Sequence, residues 1–331
     1  MNRLSLAKKF TQAEAVTHVG NFFLVKKEGR LQIVSDLDFS LMAETEETHT
    51  ATKIVVSLDG KYALLLTPLF SDKAVLYRLD PFGDKTFSFE DKDTSFKDGC
   101  FSADGQKLYL LSDTLMGEEV ESRLTVISLP GFHKETFFKG KKMFYDSLRY
   151  SRDTATLSLL DRRGSIAFFS DKKIIRRVAL PPFRKLYFFD HGEIITDSLF
   201  GVTIVSRNGK LIRKADFLLP QKRPVSETSE ADLLSQQERN LLVLAKNPPA
   251  LAGLGYRESY LDFTLDKEKG LLFFLSQVRP EKNGNLYVLS LTDFSLVQTV
   301  HLHSLVSSLS AFDGYLSVRS ASGVIVYRIN G

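Results

Sequence analysis

Six histidines, a single cysteine and an uneven distribution of lysine and arginine are the chemically capable features of this 331-residue chain. A zinc site needs His or Cys ligands at short, regular separations. His18, His49, His133 and His191 have no such neighbour, and His191, within "FDHGE", reads as a turn residue. His301 and His303 stand two apart at the end of an extended run, where they face one way, but no third ligand accompanies them. A nucleophilic cysteine needs a base beside it; Cys100 follows Gly99 with no histidine near it in sequence, and reads as a small buried side chain. The stretch "DKDTSFKDG" (91–99) has the acid density of a calcium loop without its spacing or terminal Glu. Nucleophile elbows, phosphate-binding glycine loops and dinucleotide fingerprints do not occur, so no cofactor and no metal are expected.

Charge is the second chemical signal. The chain carries only +4 overall, yet the segment from Lys134 to Lys185 holds 14 Lys or Arg against 5 Asp or Glu, or +9, so the remainder sums to −5. Within it, Lys139, Lys141 and Lys142 form one group, Arg162 and Arg163 a second, and Arg184 and Lys185 a third. A concentrated cationic surface attracts acidic proteins, and phosphate-bearing ligands or nucleic acid are the less favoured alternative at this modest overall charge. Glu118, Glu119 and Glu121 stand close enough in sequence to neutralise part of the cluster.

The elements that must position these groups are written as a repeat. "VSLDGKYALLLT" (56–67) returns 45 positions later as "FSADGQKLYLLS" (101–112), and looser copies occupy 150–161, 263–276 and 310–320. Asp-Gly between β-rich runs marks a tight turn, because glycine tolerates the positive φ that such a turn requires. Between the copies lie paired strands bent at Gly, Asn, Asp or Pro: 74–89, 123–138, 165–180, 201–217 and 285–300. With 21–44, six units fit between residues 14 and 302, and a seventh from Leu305 supplies only three strands. "RLSLAKKF" (3–10) has no partner of its own and reads as the missing outer strand.

Strand-built self-similarity at a spacing of about 40–50 residues is the mark of a β-propeller. On these residues the chain resembles a seven-bladed β-propeller of the WD-repeat or YVTN kind, although the Gly-His and Trp-Asp signatures of WD repeats are absent. The resemblance implies one all-β domain over residues 1–331, whose ring closure leaves no exposed sheet edge at the junction. It also implies that the b–c loops and d–a crossovers share one face. That face carries the variable loops "TPLFSDK", "SDTLMGEEVES" and "SQVRPEKNGN". The three basic groups are expected on it: Lys139, Lys141 and Lys142 in the crossover into blade four, Arg162 and Arg163 in its b–c loop, and Arg184 and Lys185 after the crossover out of it.

The longest crossover, 218–256 between blades five and six, reads as a polar linker followed by a short helix. Ser229 and Asp232 form a capping box, and Leu234 and Leu241 share one helical face. Lone Cys100 fits a reducing compartment, and no apolar run reaches the length of a membrane span, so a cytoplasmic protein is expected. The resulting expectation is a non-enzymatic scaffold that meets another protein through its loop-decorated face. The alternative is a lactonase-like hydrolase whose site is assembled in the central channel from several blades.

Overall fold

Each repeated turn folds in the same way. Gly60 and Gly105 take φ of +69° and +68°, and each donates its N–H to the serine carbonyl three residues earlier, Ser57 or Ser102, at 3.0 Å. The intervening aspartate locks the turn: Asp59 accepts from the Ser57 hydroxyl at 2.7 Å and the Lys61 N–H at 3.2 Å, while Asp104 accepts from Ser102 and, at 3.0 Å, from the Gln106 N–H. Such local bonds end one strand and aim the next without any tertiary contact.

The computed structural model describes residues 3–45, 51, 53–66, 73–79, 82–90, 93–129, 131–141, 145–151, 156–161, 164–170, 173–180, 183, 185–188, 193–197, 201–216, 258–278 and 283–330, without the side chains of 82–86, 141, 170, 216 and 258. Within them the chain forms 28 strands and no helix. An outer strand β1 (Leu4–Thr11) precedes blade one, which is β2 (Ala13–Val19), β3 (Phe22–Lys27), β4 (Arg30–Ser35) and β5 (Leu41–Glu44). Blade two is β6 (Lys53–Val56), β7 (Tyr62–Leu66), β8 (Lys73–Leu79) and β9 (Phe82–Glu90). Blade three is β10 (Thr94–Phe101), β11 (Lys107–Met116), β12 (Glu119–Ser128) and β13 (His133–Lys141). Blade four is β14 (Ser147–Ser151), β15 (Thr156–Asp161), β16 (Ser165–Ser170) and β17 (Lys173–Ala179). Blade five is β18 (Leu186–Phe188), β19 (Ile194–Asp197), β20 (Gly201–Val205) and β21 (Leu211–Asp216). Blade six is β22 (Glu258–Asp266), β23 (Leu271–Val278), β24 (Asn283–Ser290) and β25 (Leu296–Leu302). Blade seven takes β26 (Val306–Phe312), β27 (Tyr315–Ser320) and β28 (Gly323–Ile329) from the C-terminal end and β1 from the other, in the order β1-β28-β27-β26.

The β1–β28 pair is antiparallel and runs from Leu4 opposite Ile329 to Thr11 opposite Gly323, with a bulge between Leu6 and Lys8. A side chain from blade six holds the same strand, as Gln298 Oε1 accepts the N–H groups of Arg3 at 2.8 Å and Leu4 at 3.1 Å.

Why the strands stack into a ring is visible in their composition. A central strand alternates its side chains between its two faces, and both faces are covered, so it reads as an unbroken apolar run rather than an alternation. In β3, Phe23 and Val25 pack with Tyr315 and Val326 of blade seven, while Leu24 packs with Leu65 and Tyr77 of blade two. In β7, Leu64 and Leu66 turn to Leu108 and Leu110 of blade three, whereas Ala63 and Leu65 turn back to blade one. Among the described residues the buried apolar side chains divide into seven clusters, one for each pair of neighbouring blades, blade seven against blade one included. Innermost strands β2, β6, β10, β14, β18, β22 and β26 remain to line the axis.

Candidate functional site in the central channel

Two inner strands carry an aspartate where an apolar residue would ordinarily face the next blade. Each follows a bulge, between Phe96 and Asp98 in β10 and between Tyr260 and Asp262 in β22, and each stands opposite a leucine of the second strand, Leu111 or Leu275. The bulge re-aims the side chain. Asp98 is 1% exposed: its Oδ1 accepts from the Gly99 N–H at 2.8 Å and from the Lys53 ammonium, and its Oδ2 from the Leu148 N–H at 3.0 Å and Arg149 Nη1 at 3.4 Å. Asp262 repeats the pattern three blades on. Its Oδ1 accepts from the Phe263 N–H at 2.9 Å, and its Oδ2 from the Leu309 N–H and the Lys185 ammonium, both at 2.7 Å. Each carboxylate therefore ties its own inner strand to the backbone of the next one. Asp197 makes a third tie, accepting the Lys185 N–H at 3.0 Å and the Tyr260 hydroxyl at 2.7 Å.

The electrostatics differ between the two. Burial alone would raise the Asp98 carboxyl, but Lys53 and Arg149 outweigh it and hold the group below the usual carboxylate range. At Asp262 burial prevails and the carboxyl lies above that range, although Lys185 and the Leu309 N–H pull it down. Cys100 sits beside this cluster on β10, partly buried on the channel wall. Burial, reinforced by the Asp98 charge, pushes its thiol far above the ordinary value, which removes the thiolate that nucleophilic attack would need.

Together these groups surround a chamber of about 590 Å³, lined by Lys53, Lys97, Asp98, Asp146, Arg149 and Lys185 among others. A second chamber of about 360 Å³ shares Lys53, Ile54, Lys185, Leu309 and Ser310 with it and adds Glu14 and Arg319. Lys97 is engaged by Asp113 and by the Tyr145 carbonyl at 2.9 Å. Acids and bases do converge in the channel, but both oxygens of Asp98 and of Asp262 are already accepting hydrogen bonds, a poor arrangement for a general base.

Of the basic residues expected on one face, Lys139, Lys141 and Lys185 fall within the described residues. Lys185 leaves the group: it directly precedes an inner strand, so its side chain turns to the axis and Asp262 rather than to the surface. Lys139 and Lys141 lie not in a crossover but within outer strand β13, paired with Arg123 and Glu121, because the ladder with β12 continues to Lys141. Lys139 is exposed. Lys142, Arg162, Arg163 and Arg184 lie outside the described residues, as do Leu234, Leu241 and the whole expected insertion 218–256. Of the histidines, His301 and His303 are exposed, and His301 Nδ1 bonds Asn285 Oδ1 at 2.8 Å. His18 instead belongs to the core, 4.9 Å from Phe23 and 4.5 Å from Tyr315 between ring centroids, with Nε2 3.0 Å from Asp36 Oδ2. No group of three or more His, Cys, Asp or Glu is placed to hold a metal among the described residues, and no helix among them is long and apolar enough to cross a membrane.

Comparison with known proteins bears on the frame of this site rather than on its chemistry. No family model matches the chain, and no curated protein matches it by sequence. Its fold is similar to the β-propeller domain of Cps50 (Swd1) from Myceliophteria thermophila, with a TM-score of 0.64 over 99% of this chain and 100% of that one, at 9% identity. At that identity the likeness extends to the fold alone: the chain is a seven-bladed β-propeller.

Proposed function

We propose that this propeller is a non-enzymatic scaffold that presents its b–c loop face to another protein. The observation that carries the reading is an overhang on blade three. Strands β11 and β12 stay paired out to Met116 opposite Glu119, whereas the flanking strands stop at Thr114 on one side and Glu121 on the other. This short two-stranded tongue runs two residue pairs past the last four-stranded pairing, with the Leu115 N–H donating to the Asp93 carbonyl at 2.7 Å. Gly117 turns its tip at a φ of +66°, as a two-residue hairpin with glycine at its first central position requires.

The tongue presents Leu115, Met116 and Val120 at 54%, 53% and 38% exposure. A hairpin that served only to connect strands would gain nothing from apolar side chains in water, whereas burying one Leu or Met against a partner contributes about 1.5–3 kcal/mol. Glu118 and Glu119 surround that apolar tip, and Lys139 is exposed on the outer strand of the same blade. That mixture of charge suits an acidic partner, to which Lys139 and the basic residues near it in sequence, Lys141, Lys142, Arg162, Arg163 and Arg184, are assigned as part of this proposal. The hydrolase alternative receives less support, because the channel carboxylates are committed to backbone N–H groups and ammonium ions.

Affinity isolation from native cells tests the reading. Replacing Leu115, Met116 and Val120 with serine, and in a second variant reversing charge at Lys139, Lys141, Arg162 and Arg163, is expected to deplete the same co-purifying protein while thermal unfolding stays unchanged. Full retention of every co-purifying protein by both folded variants refutes it.

A further inference from the structure

The geometry points to a binding site for a small polyanion in the central channel, held by Arg149 with Lys53 and Lys185. Of the six charged side chains lining the larger chamber, four are cations and two are carboxylates. One of those carboxylates, Asp98, is 1% exposed, so little of its charge faces the open space.

Arg149 has donors to spare. Its Nη1 bonds the Leu148 carbonyl at 2.6 Å and Asp98 at 3.4 Å, and neither Nε nor Nη2 donates to a described residue. A guanidinium edge of this kind matches two oxygens of a carboxylate or phosphate. Lys53 bonds Asp98, and an ammonium has three donors. Burial and the Arg149 guanidinium both work against the Lys185 ammonium, while Tyr187 and Asp262 keep it charged and above the usual lysine range. Three cations thus come from blades two, four and five to one space, two of them close enough to oppose each other.

The two chambers meet at Lys53 and Lys185, which line both. An oxyanion seated on Arg149 therefore lies within a cavity whose continuation holds Arg319 and the hydroxyl-bearing residues Thr17, Ser308, Ser310 and Ser317. Chambers of about 590 and 360 Å³ match the size of small-molecule sites. Asp113 already answers Lys97, Asp262 answers Lys185 and Lys26 answers Glu14, which leaves Lys53, Arg149 and Arg319 against Asp98 and Asp146. That positive remainder is spread over both chambers, Arg149 in one and Arg319 in the other, which favours a ligand bearing more than one oxyanion group. The ligand class is a compact molecule bearing several oxyanion groups, phosphates or carboxylates.

Calorimetric titration of the full chain with inorganic pyrophosphate and, separately, with citrate tests this at constant ionic strength against sodium chloride. Saturable binding of either probe is expected: pyrophosphate alone assigns a phosphate-bearing ligand, citrate alone a polycarboxylate, and both the shared oxyanion chemistry. Arg149→Lys keeps the charge beside Asp98 but loses the fork, and is expected to bind roughly tenfold more weakly, as for one lost charge-assisted hydrogen bond. Ser310→Phe fills the junction without touching an ion pair and is expected to abolish binding in a protein that still unfolds like wild type. Heat signals that chloride reproduces, or equal affinity in wild type, Arg149→Lys and folded Ser310→Phe, overturn the site. Neither probe touches the b–c loop tongue, so this outcome is independent of the partner-capture experiment.

Discussion

Replacing Asp98 probes the channel where its ties are densest. Asp98→Ala removes the acceptor for the Leu148 and Gly99 N–H groups and the counter-charge of Lys53 and Arg149 in one step. Removing one partner of a buried pair typically costs about 3–5 kcal/mol, since the charge left behind stays desolvated. Lys53 and Arg149 are 35% and 32% exposed along their side chains, so water relieves part of that cost. The unsatisfied Leu148 N–H returns about 1–3 kcal/mol of it. A loss of about 3 kcal/mol follows, read from urea denaturation at neutral pH. Asp98→Asn, which keeps one carbonyl acceptor, should lose less.

The pH dependence has a defined sign. The Asp98 carboxyl is held lower in the folded protein than its unfolded value of about 3.9, so its contribution is fully present above that pH. It is lost as pH falls through the depressed folded value. The gap between wild type and Asp98→Asn is therefore expected to be constant from about pH 7 to 5 and to shrink below about pH 4. An Asp98→Ala protein within about 1 kcal/mol of wild type, or a gap that widens as acid is added, would refute the reasoning.

A chain that begins at Thr11 loses Leu4, which is 5% exposed in the core between blades six and seven, and strips β28 of its outer partner; a stability loss of several kcal/mol or aggregation is expected by denaturation and light scattering, and unchanged melting would count against that strand's role. Gly323→Ala attacks the same junction, because at φ +137° a Cβ would collide with the Phe10 carbonyl; it should cost about 1–3 kcal/mol, whereas Gly20→Ala, at φ +59° with open space around it, should cost less. Native Cys100 should react with a thiol reagent at neutral pH far more slowly than after unfolding, and equal rates would show the thiol to be accessible and acidic. The tongue of blade three should tolerate serine at Leu115, Met116 and Val120 with a change in stability within about 0.5 kcal/mol, measured by urea titration, because these side chains are exposed.

What could be read from the chain alone is what local chemistry encodes. Ser-x-Asp-Gly makes its turn with its own side chains, so the twelve-residue phrase at 56–67 and its echo at 101–112 announce a strand, a bend and a strand wherever they occur. Runs such as Tyr62–Leu66 and Leu271–Val278 announce strands covered on both faces, and their spacing announces the number of blades. The acids of the inner strands left a weaker trace: Asp98 and Asp262 each follow a bulge and stand opposite the leucine of a Leu-Ser pair on the second strand, Leu111-Ser112 or Leu275-Ser276, a recurrence visible only once the two blades are aligned.

The tertiary structure decided where the charges meet. Lys53, Asp98 and Arg149 are 45 and 51 positions apart in pairs, and Lys185 and Asp262 are 77 apart, so no window of sequence contains either group. Ring closure places every inner strand against the axis, and that alone turns Lys185 from a surface lysine into a channel cation. Lys139 and Lys141 went the other way, from a crossover into strand β13, because the length of a β ladder is set by its partner strand and not by the residues that end it. Turns and apolar periodicity act over a few residues and survive in the sequence as pattern; charge pairing acts through space, and its partners are chosen by the fold.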